Sequence, residues 1–590
     1  MKVDYLSRIL RPRFSVWSPA KTFFLFRCHL LGMLVLSILL LNAATGLADD
    51  NSQGATLIPA PRSLQVKEGR FILTAKMGVT LAPQLGGGLD LVRLLLGPAT
   101  GFDFSRVDGG AGMRIGYDAT LHEEGYRLEI GTGGVDISAS TNAGVHYALQ
   151  TVKQLLPVEI YSRGLVEQDW VLPALLIDDQ PRFSWRGLHL DVGRHFMPVE
   201  FIKKYIDLLA VHKMNRFHWH LTEDQGWRIE IKRYPRLTTV GSVRAQTVVG
   251  HPLFQDEDEK VFDGTAHGGF YTQEQVKGVV DYAAARHVTV VPEIEFPGHA
   301  QAAIAAYPEL GNTGEQLKVM EDWGISKNTL KPSDETLDFY RNVLTEVMVL
   351  FPSPYIHIGG DEAPKDQWEG SPFGQQRMEQ LGLTDANELQ SWLIQQMDDF
   401  LTANGRRLIG WDEIMQGGLS SNATVMSWRG MERGMQAAEA GHDVIMAPTQ
   451  WTYFDYYQAD PDVEPLAIGS YTPLAQVYHF EPKPAGPPSE VRQRILGAQG
   501  QLWTEFMKTP EHVEYMAYPR AAALAEVVWS PRKNRNYDNF LQRLPGHMQR
   551  LDVLDVNYRP PGNDKLDAWD SFKQWLFDIA IGIYFWFSDL

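Results

Sequence analysis

From Trp185 onward, short apolar runs rich in β-branched residues alternate with stretches whose apolar positions recur at helical spacing. This alternation is typical of a parallel sheet covered by helices. The predicted strands lie near residues 185–191, 216–221, 288–295, 355–359, 407–411, 424–428, 443–447 and 497–503, and the clearest helices span 198–212, 272–286 and 335–350. Eight such units predict an α/β fold with a (β/α)8 TIM barrel. A doubly wound open sheet is the alternative, although no glycine-rich phosphate-binding motif follows the first strand.

Residues 57–180 carry shorter periodic segments that predict a smaller α/β domain ahead of the barrel. Strands are expected at 71–73, 126–130 and 135–139, and a helix at 144–156. A linker containing Asp178, Asp179 and Pro181 is expected to lead into the barrel. The predicted domains are therefore 49–180 for the N-terminal α/β domain and 181–560 for the barrel.

The two ends of the chain have a different composition. Residues 1–48 run from a basic region through an apolar segment at 30–41 to small residues ending at Ala48. This order is typical of a secretory signal, so we expect cleavage after Ala48 and a secreted or periplasmic protein; an uncleaved membrane anchor is the alternative. The single cysteine, Cys28, lies in this segment, so the mature chain would form no disulfide.

The C-terminal tail at 561–590 is strongly apolar between residues 575 and 587. We expect it to pack as a helix on the barrel or on a partner subunit, or else to touch a membrane surface. The formal net charge of -18 is spread along the chain, which disfavours nucleic acid as a partner and fits a neutral or cationic substrate.

Active sites of such barrels lie where the strands end and the following loops begin. The candidate residues at these positions are acids, histidines and aromatics: Asp191, Glu223, Asp224, Glu295, His299, Asp361, Glu362, Trp411, Asp412, Glu413, Trp428, Trp451, Tyr453, Asp455, Trp503 and Glu505, with Arg186 on the first strand. Aromatic faces stack on sugar rings, while acids and arginine bind sugar hydroxyls. The mixture predicts a carbohydrate site.

The segment HIGGDE at 357–362 places Asp361 and Glu362 directly behind two glycines. On a continuous strand the two acids would point to opposite faces, so they can share one site only if the strand ends at the glycines. Glycoside cleavage needs a protonated carboxylic acid beside the leaving oxygen. One acid of the pair can serve if burial and its neighbour keep it protonated.

Other roles are open for several of these residues. His218 and His220 share one face of a strand and could bind a metal ion, but the sequence shows no HExxH motif and no obvious third ligand, so hydrogen-bonded interior histidines are favoured. Arg186 could form a structural ion pair, and His299 could cap a loop. The tryptophans could belong to the core.

Four motifs, taken together, resemble those of the family 20 glycoside hydrolases, the β-N-acetylhexosaminidases, which include chitobiases. They are Arg186-Gly187 with Leu190-Asp191-Val192 and Arg194-His195-Phe196, HWHLTEDQGWR at 218–228, Pro297-Gly298-His299, and HIGGDE. The resemblance covers residues 57–560 in order. It implies an exo-acting, retaining hydrolase of N-acetylhexosamine-terminated oligosaccharides or glycoconjugates, in which the substrate's acetamido oxygen is the nucleophile.

The resemblance also implies a role for each site residue. Glu362 would be the general acid and later the base, Asp361 would orient and stabilise the acetamido group, and Tyr453 would bind its oxygen. The implied sugar contacts are Trp411, Trp428 and Trp503 as walls, Arg186, Asp455 and Glu505 on the hydroxyls, and Asp224 with His299 as a supporting dyad. No metal or organic cofactor is implied.

Glu223 and Glu295 depart from the family pattern, which often has aspartate at both positions. Two further functions are considered for the same residues. One is a non-catalytic sugar-binding protein on the same scaffold. The other is a conventional two-carboxylate glycosidase, in which Asp412 or Glu413 would act across the sugar from Glu362.

Overall fold

The structure is a computed structural model that describes residues 56–110, 112–251 and 259–562. The predicted signal segment at 1–48 and the apolar part of the tail at 575–587 lie outside the described residues. Across the described ranges, no helix combines the length and the apolar character that a bilayer crossing requires.

The N-terminal domain is a mixed six-stranded sheet with two helices. Its strands are β1 (Ser63–Leu73), β2 (Val79–Leu81), β3 (Met113–Tyr117), β4 (Tyr126–Gly131), β5 (Gly134–Ala139) and β6 (Trp170–Asp179), in the spatial order β1-β6-β4-β5-β3-β2. The helices are α1 (Gly88–Thr100) and α2 (Asn142–Leu155). On β4, Tyr126, Leu128 and Ile130 are buried while Arg127 and Glu129 are exposed, which is the period-two pattern of a sheet covered on one face.

The expected linker at Asp178 and Asp179 is wrong, because both residues end strand β6. This strand pairs with β1 on one side and with β4 on the other. Pro173 obscures it in the sequence, since proline cannot donate a ladder hydrogen bond and is usually confined to edges and bulges. Here Pro173 lies opposite Arg70, where the register of β1 shifts.

The second domain is a closed barrel of eight parallel strands, which confirms the predicted fold class. The strands are β7 (Trp185–Asp191), β8 (Arg216–His220), β9 (Thr289–Glu293), β10 (Tyr355–His357), β11 (Arg407–Trp411), β12 (Thr424–Ser427), β13 (Val444–Met446) and β14 (Ile495–Gly500). All eight coincide with the strand positions expected from the sequence. Every residue of β7 is buried, as expected for a parallel strand covered on both faces.

Helices follow seven of the eight barrel strands. They are α3 (Val199–Val211), α4 (Gln273–Ala284), α5 (Asp334–Leu350), α6 (Ala386–Ala403), α7 (Met431–Glu439), α8 (Leu474–His479) and α9 (Arg520–Trp529), and α10 (Tyr537–Val553) closes the described chain. After β11 a 3-10 turn, Asp412–Met415, takes the place of the helix. Shorter helices lie in the loops at Arg236–Thr239, Gln301–Ala306, Asp366–Gly370, Pro372–Leu381, Thr449–Thr452, Ser489–Gln493 and Pro510–Ala517.

Arg186 lies at the start of β7, whereas Asp191 ends the same strand. Because β7 runs from one end of the barrel to the other, the two residues lie at opposite ends of the barrel. The Arg186 side chain is fully buried and its Nη2 donates to Glu124 Oε1 at 2.8 Å and to the Tyr147 hydroxyl at 2.9 Å, both in the N-terminal domain. The assignment of Arg186 to substrate binding is therefore corrected: the residue joins the two domains.

We predict that Arg186→Met destabilises the protein strongly, because it leaves Glu124 at the domain junction without its cationic partner. The loss in the free energy of unfolding should be about 3–5 kcal/mol, as for other broken buried pairs. Chemical denaturation measures it. The matched control is Arg127→Met, which removes an exposed ion pair with Asp178 and should cost about 1 kcal/mol or less. Equal effects of the two substitutions would contradict the assignment.

Candidate active site

The chain turns sharply after β10, and this turn brings Asp361 and Glu362 to one site. Gly359 and Gly360 have φ angles of +69° and +91°, and Glu362 itself has a φ of +43°. Side chains rarely adopt this left-handed region, so glycine is the residue expected at the first two positions. The side-chain alternation of a strand is thereby interrupted between His357 and Asp361.

Both glycines also lie too close to neighbouring side chains to carry a Cβ atom. A Cβ on Gly359 would lie 2.0 Å from Glu295 Oε2, and a Cβ on Gly360 would lie 2.6 Å from Ile414 Cγ2. The two contacts come from different elements, one from the end of β9 and the other from the turn after β11. The turn is therefore fixed by packing on both sides as well as by its backbone angles.

Two side chains hold the turn in place by hydrogen bonds: Gln390 on helix α6, and Lys365 in the loop that follows the turn. Gln390 Nε2 donates to the carbonyl oxygen of Gly360 at 2.8 Å. Lys365 Nζ donates to the carbonyl oxygen of Ala363 at 2.6 Å and also to the Gln390 side chain. The carbonyl groups on either side of Asp361 and Glu362 are thus held by the linked side chains of Gln390 and Lys365.

His299, which follows β9, lies beside both acids. Its Nε2 atom is 3.4 Å from Glu362 Oε2 and 3.6 Å from Asp361 Oδ2. Its Nδ1 atom is 2.8 Å from Glu223 Oε1 and 3.3 Å from Asp224 Oδ2. Burial alone would lower the pKa of His299, but these carboxylates, Glu223 first, outweigh it and raise the pKa well above its usual value. A charged imidazole therefore connects Asp361 and Glu362 to the acids after β8.

Glu223 and Asp224 both take part in this arrangement, although only Asp224 was expected to partner His299. Burial would raise the pKa of Glu223, but Arg194 and His299 dominate and hold it well below the usual range. Asp224 accepts hydrogen bonds from the backbone N–H of Gln301 at 2.8 Å and of Ser326 at 3.3 Å. Asp224 therefore also fixes the loops around the site.

Asp361 is only 8% exposed, and one of its carboxyl oxygens has no hydrogen-bond partner among the described residues. Burial raises the pKa of Asp361 to about 7; His299 opposes the rise, and the negative charges of Glu362, Glu293 and Glu223 add to it. Such a displaced pKa in a carboxylate cluster is typical of functional sites.

A buried histidine cluster lies inside the barrel beneath the site, centred on Glu293. Its Oε2 atom is 3.0 Å from His218 Nε2 and 2.5 Å from His220 Nδ1, and its Oε1 atom is 2.7 Å from His357 Nδ1. The indole of Trp411 donates to Oε1 at 2.9 Å. His220 of the HWH motif thus hydrogen-bonds Glu293, and Glu293 in turn positions Trp411, a wall of the pocket. His218 hydrogen-bonds Gln499 instead.

Aromatic rings from four strand ends form one apolar cluster beside the acids. Trp411 and Trp503 have ring centroids 5.7 Å apart, Trp428 stacks against Tyr453 at 6.2 Å, and Tyr453 lies 6.4 Å from Trp503. The predicted aromatic residues are therefore brought together. They form an apolar wall of the kind that stacks on a sugar ring.

Arg194, which follows β7, lies beside the site acids and Trp503, where the sequence predicts Arg186. Its guanidinium lies 5.0 Å from the Trp503 ring centroid, 3.1 Å from Glu223 and 3.9 Å from Glu505. Two of its nitrogen atoms, Nε and Nη1, are buried without a hydrogen-bond partner among the described residues. Its place after the carboxyl end of a barrel strand was the signal that should have favoured it.

Asp455 and Glu505 form the far side of the site. Burial, followed by the charge of Glu505, raises the pKa of Asp455 well above its usual value. Burial also raises the pKa of Glu505, against the opposing effect of Arg194. Asp455 Oδ1 is buried and without a hydrogen-bond partner in the described part of the chain. These acids and Arg194 are therefore placed to accept and donate hydrogen bonds to a polyhydroxylated ligand.

Asp412 and Glu413, the acids that a two-carboxylate mechanism would require, are engaged elsewhere. Asp412 accepts from the backbone N–H groups of Trp428 at 2.9 Å and Arg429 at 3.1 Å, and pairs with the Arg429 guanidinium at 2.6 Å. Glu413 accepts from the Trp428 indole at 2.9 Å. Both acids therefore fix the position of Trp428, through its backbone N–H and its indole.

We predict that Gly359→Ala lowers kcat/KM by about 100-fold or more, because the new Cβ would displace Glu295 and shift the catalytic pair. The matched control is Gly382→Ala, which has the same φ of +69° but open space around its Cβ position. It should retain near-normal activity. Similar losses in the two variants would show that backbone strain, rather than the position of the turn, controls activity.

We predict that Asp361→Asn stabilises the protein at alkaline pH. The pKa of Asp361 is raised from 3.8 to about 7, so the folded state favours the proton. The cost of ionising the carboxyl is absent below pH 3.8, grows as the pH rises, and is complete above pH 7. Asparagine avoids it, so the variant should exceed the wild type by about 1 kcal/mol or more at pH 8, with no such gain at pH 4. Denaturation at both pH values tests this, and a gain of equal size at both would contradict it.

Two family models match the chain. "Glycosyl hydrolase family 20, catalytic domain" covers residues 183–532, and "Glycosyl hydrolase family 20, domain 2" covers residues 55–180. The first corresponds to the barrel and the second to the N-terminal domain. Together they include every site residue described above.

Known proteins give the same result. The chain is 44% identical to a β-hexosaminidase of Porphyromonas gingivalis over 86% of its own length and 65% of that protein's length, so it spans slightly less than two thirds of that relative. It is 38% identical to a β-hexosaminidase of Vibrio furnissii, covering 80% of this chain and 76% of that one.

Among solved structures, the GH20 exo-β-N-acetylglucosaminidase of Vibrio harveyi, in complex with N-acetylglucosamine, is similar with a TM-score of 0.75 and 34% identity, covering 86% of this chain and 79% of that one. The chain therefore belongs to glycosyl hydrolase family 20, the family of the β-N-acetylhexosaminidases.

Proposed function

We propose that the protein is an exo-acting, retaining β-N-acetylhexosaminidase. It removes terminal non-reducing N-acetyl-D-hexosamine, GlcNAc or GalNAc, from oligosaccharides or glycoconjugates by substrate-assisted catalysis. The observation that carries the proposal is the pair Asp361 and Glu362 on one turn, with His299 bridging both and no free carboxylate supplied by Asp412 or Glu413.

Glu362 performs the proton transfers in this proposal. Its side chain is 25% exposed, the most open of the acids around His299, so it can reach a glycosidic oxygen at the mouth of the site. It protonates the leaving oxygen in the first step. In the second step the resulting carboxylate activates the water that opens the cyclic intermediate.

The nucleophile is the acetamido oxygen of the substrate, which attacks the anomeric carbon and closes an oxazolinium ring. Asp361 is buried beside Glu362 and has an unused carboxyl oxygen, so it can accept the acetamido N–H and stabilise the positive charge that develops there. Tyr453 holds the acetamido oxygen in position through its hydroxyl, and the stacking of its ring on Trp428 in the aromatic cluster supports this role.

The remaining site residues bind the sugar. Trp411, Trp428 and Trp503 enclose the ring and the N-acetyl group. Arg194 and Asp455 supply unused donors and an unused acceptor for the ring hydroxyls, and Glu505 adds a further carboxylate beside Arg194. The unused atoms of Arg194 and Asp455 are buried, so an analogue that leaves them unpaired would bind poorly.

We also propose that the protein is exported, either to the periplasm or out of the cell. The basic, apolar and small-residue order of residues 1–48 supports export. Sequencing the N-terminus of protein recovered from the producing cell would test the expected cleavage after Ala48.

We predict that the protein cleaves an aryl N-acetyl-β-glucosaminide far faster than the aryl β-glucoside, because only the first substrate carries the acetamido nucleophile. In Glu362→Gln the proton transfers are lost, and kcat/KM should fall by about 100-fold to 10,000-fold. In Asp361→Asn the charge stabilisation is lost, and a fall of about 100-fold or more is expected.

Glu439→Gln, at an exposed acid that ends helix α7, is the control and should remain active. Equal rates on the two aryl substrates would contradict acetamido participation. Binding of N-acetylglucosamine without turnover would instead identify a sugar-binding protein on this scaffold.

A further inference from the structure

A cavity of about 440 Å³ lies between the two domains, away from the catalytic residues. It is lined by helices α1 and α2 and the segment at 160–163 of the N-terminal domain, and by α3, α4 and Leu554 of the barrel domain. We call it the junction cavity. Its volume and its place at a domain boundary are typical of small-molecule sites.

The floor of the junction cavity is apolar. It is formed by Leu94, Leu95, Pro98, Ile160 and Val211. Leu95, Ile160 and Val211 are almost fully buried, while Leu94 is 36% exposed. The floor can therefore accept an aliphatic or aromatic group.

The wall of the junction cavity is basic, although the whole chain carries a net charge of -18. Its charged lining residues are Lys153, Arg163, Lys203, Lys204 and Arg286 against only Glu200 and Asp207. The surplus of positive charge makes this part of the surface attractive to anions.

Two of the cations already have carboxylate partners. Arg286 Nε pairs with Asp207 Oδ1 at 2.5 Å, and Asp207 also accepts from the Tyr282 hydroxyl at 2.9 Å. Lys204 pairs with Glu514 at 2.6 Å. These pairs neutralise part of the wall and fix its shape.

The other three cations, Lys153, Arg163 and Lys203, form no ion pair with any described residue. Lys153 Nζ lies 4.5 Å from the Tyr161 ring centroid, and Lys203 Nζ lies 5.6 Å from that of Tyr282. These cation–π contacts hold the ammonium groups over apolar faces and leave their hydrogen-bond donors unused. Three cations without ion pairs thus line the same cavity as the apolar floor residues.

Lys153 is partly buried in this lining. Burial lowers its pKa from 10.5 to about 8; Asp207 partly offsets this, and Arg286 lowers the pKa further. An ammonium without a hydrogen-bonded partner in such a place is costly, and a bound anion would remove that cost.

We propose that the junction cavity binds a small organic anion, a sulfate or phosphate ester with an apolar group. The anionic head pairs with Lys153, Lys203 and Arg163, and the apolar group packs on Leu94, Leu95 and Pro98. This site is separate from the catalytic pocket, and the proposal is independent of the glycosidase activity.

Isothermal titration of the whole protein with phenyl sulfate tests the proposal. The titration is made with N-acetylglucosamine present to occupy the catalytic site. Phenyl sulfate should bind more tightly than inorganic sulfate, because only the ester uses the floor, and phenol should not bind. No binding of phenyl sulfate at millimolar concentration, or equal binding of phenol, would overturn the proposal.

The pH dependence of anion binding tests the role of Lys153. Because the anion favours charged Lys153, binding at pH 8 should take up protons, and affinity should fall as the pH rises above 8. Titrations in two buffers of different ionisation enthalpy measure the uptake. In Lys153→Arg, binding should persist while the uptake at pH 8 disappears, since arginine stays charged.

Lys153→Met should weaken binding by about tenfold or more. Lys76→Met, at an exposed lysine of the same domain, is the control and should bind normally. Activity on the aryl glucosaminide should be unchanged in every variant, which verifies folding. Equal losses in Lys153→Met and Lys76→Met would show only a general charge effect and would refute the site.

Discussion

Two carboxylates can share one buried pocket only if the backbone turns between the strand and the acids, and the rest of the site depends on this turn. Gly359 and Gly360 supply the backbone angles, and Glu295 and Ile414 fill the space that their side chains would need. Gln390 ties the turn to α6. The turn therefore fixes the positions of Asp361 and Glu362.

Placing so many acids together would be unfavourable without compensating cations. In this structure, cationic side chains lie between the acids. His299 lies between the catalytic pair and Glu223, and Arg194 lies between Glu223 and Glu505. Glu295, by contrast, keeps its proton. Burial and the charge of Asp361 raise the pKa of Glu295 well above its usual value. Charge pairing and retained protons together keep the site stable while leaving Asp361 and Arg194 with unused hydrogen-bonding atoms.

The sequence predicted the barrel well, because its parallel strands are short runs rich in apolar residues that alternate with clear helical segments. It predicted the N-terminal sheet less well: β2, β3 and β6 are not among the expected strands, and β6 contains Pro173 and ends in two aspartates. Most site residues follow from their place at strand ends. Arg186 was misassigned because the motif around β7 contains two arginines, and which end of the barrel each occupies depends on the strand direction. The pairing of Glu223 with His299 depends on the conformation of two loops, which the hydrophobic periodicity of the sequence does not predict.

The central claim is that the catalytic turn presents a general acid and an acetamide-stabilising carboxylate, and that the substrate supplies the nucleophile. Inhibition by the thiazoline derived from N-acetylglucosamine, which resembles the oxazolinium intermediate, tests this claim most directly. The account predicts strong competitive inhibition of the wild type and inhibition weaker by about tenfold or more in Asp361→Asn, where the stabilising charge is absent. An enzyme that cleaves the aryl glucosaminide but is indifferent to the thiazoline would contradict the account.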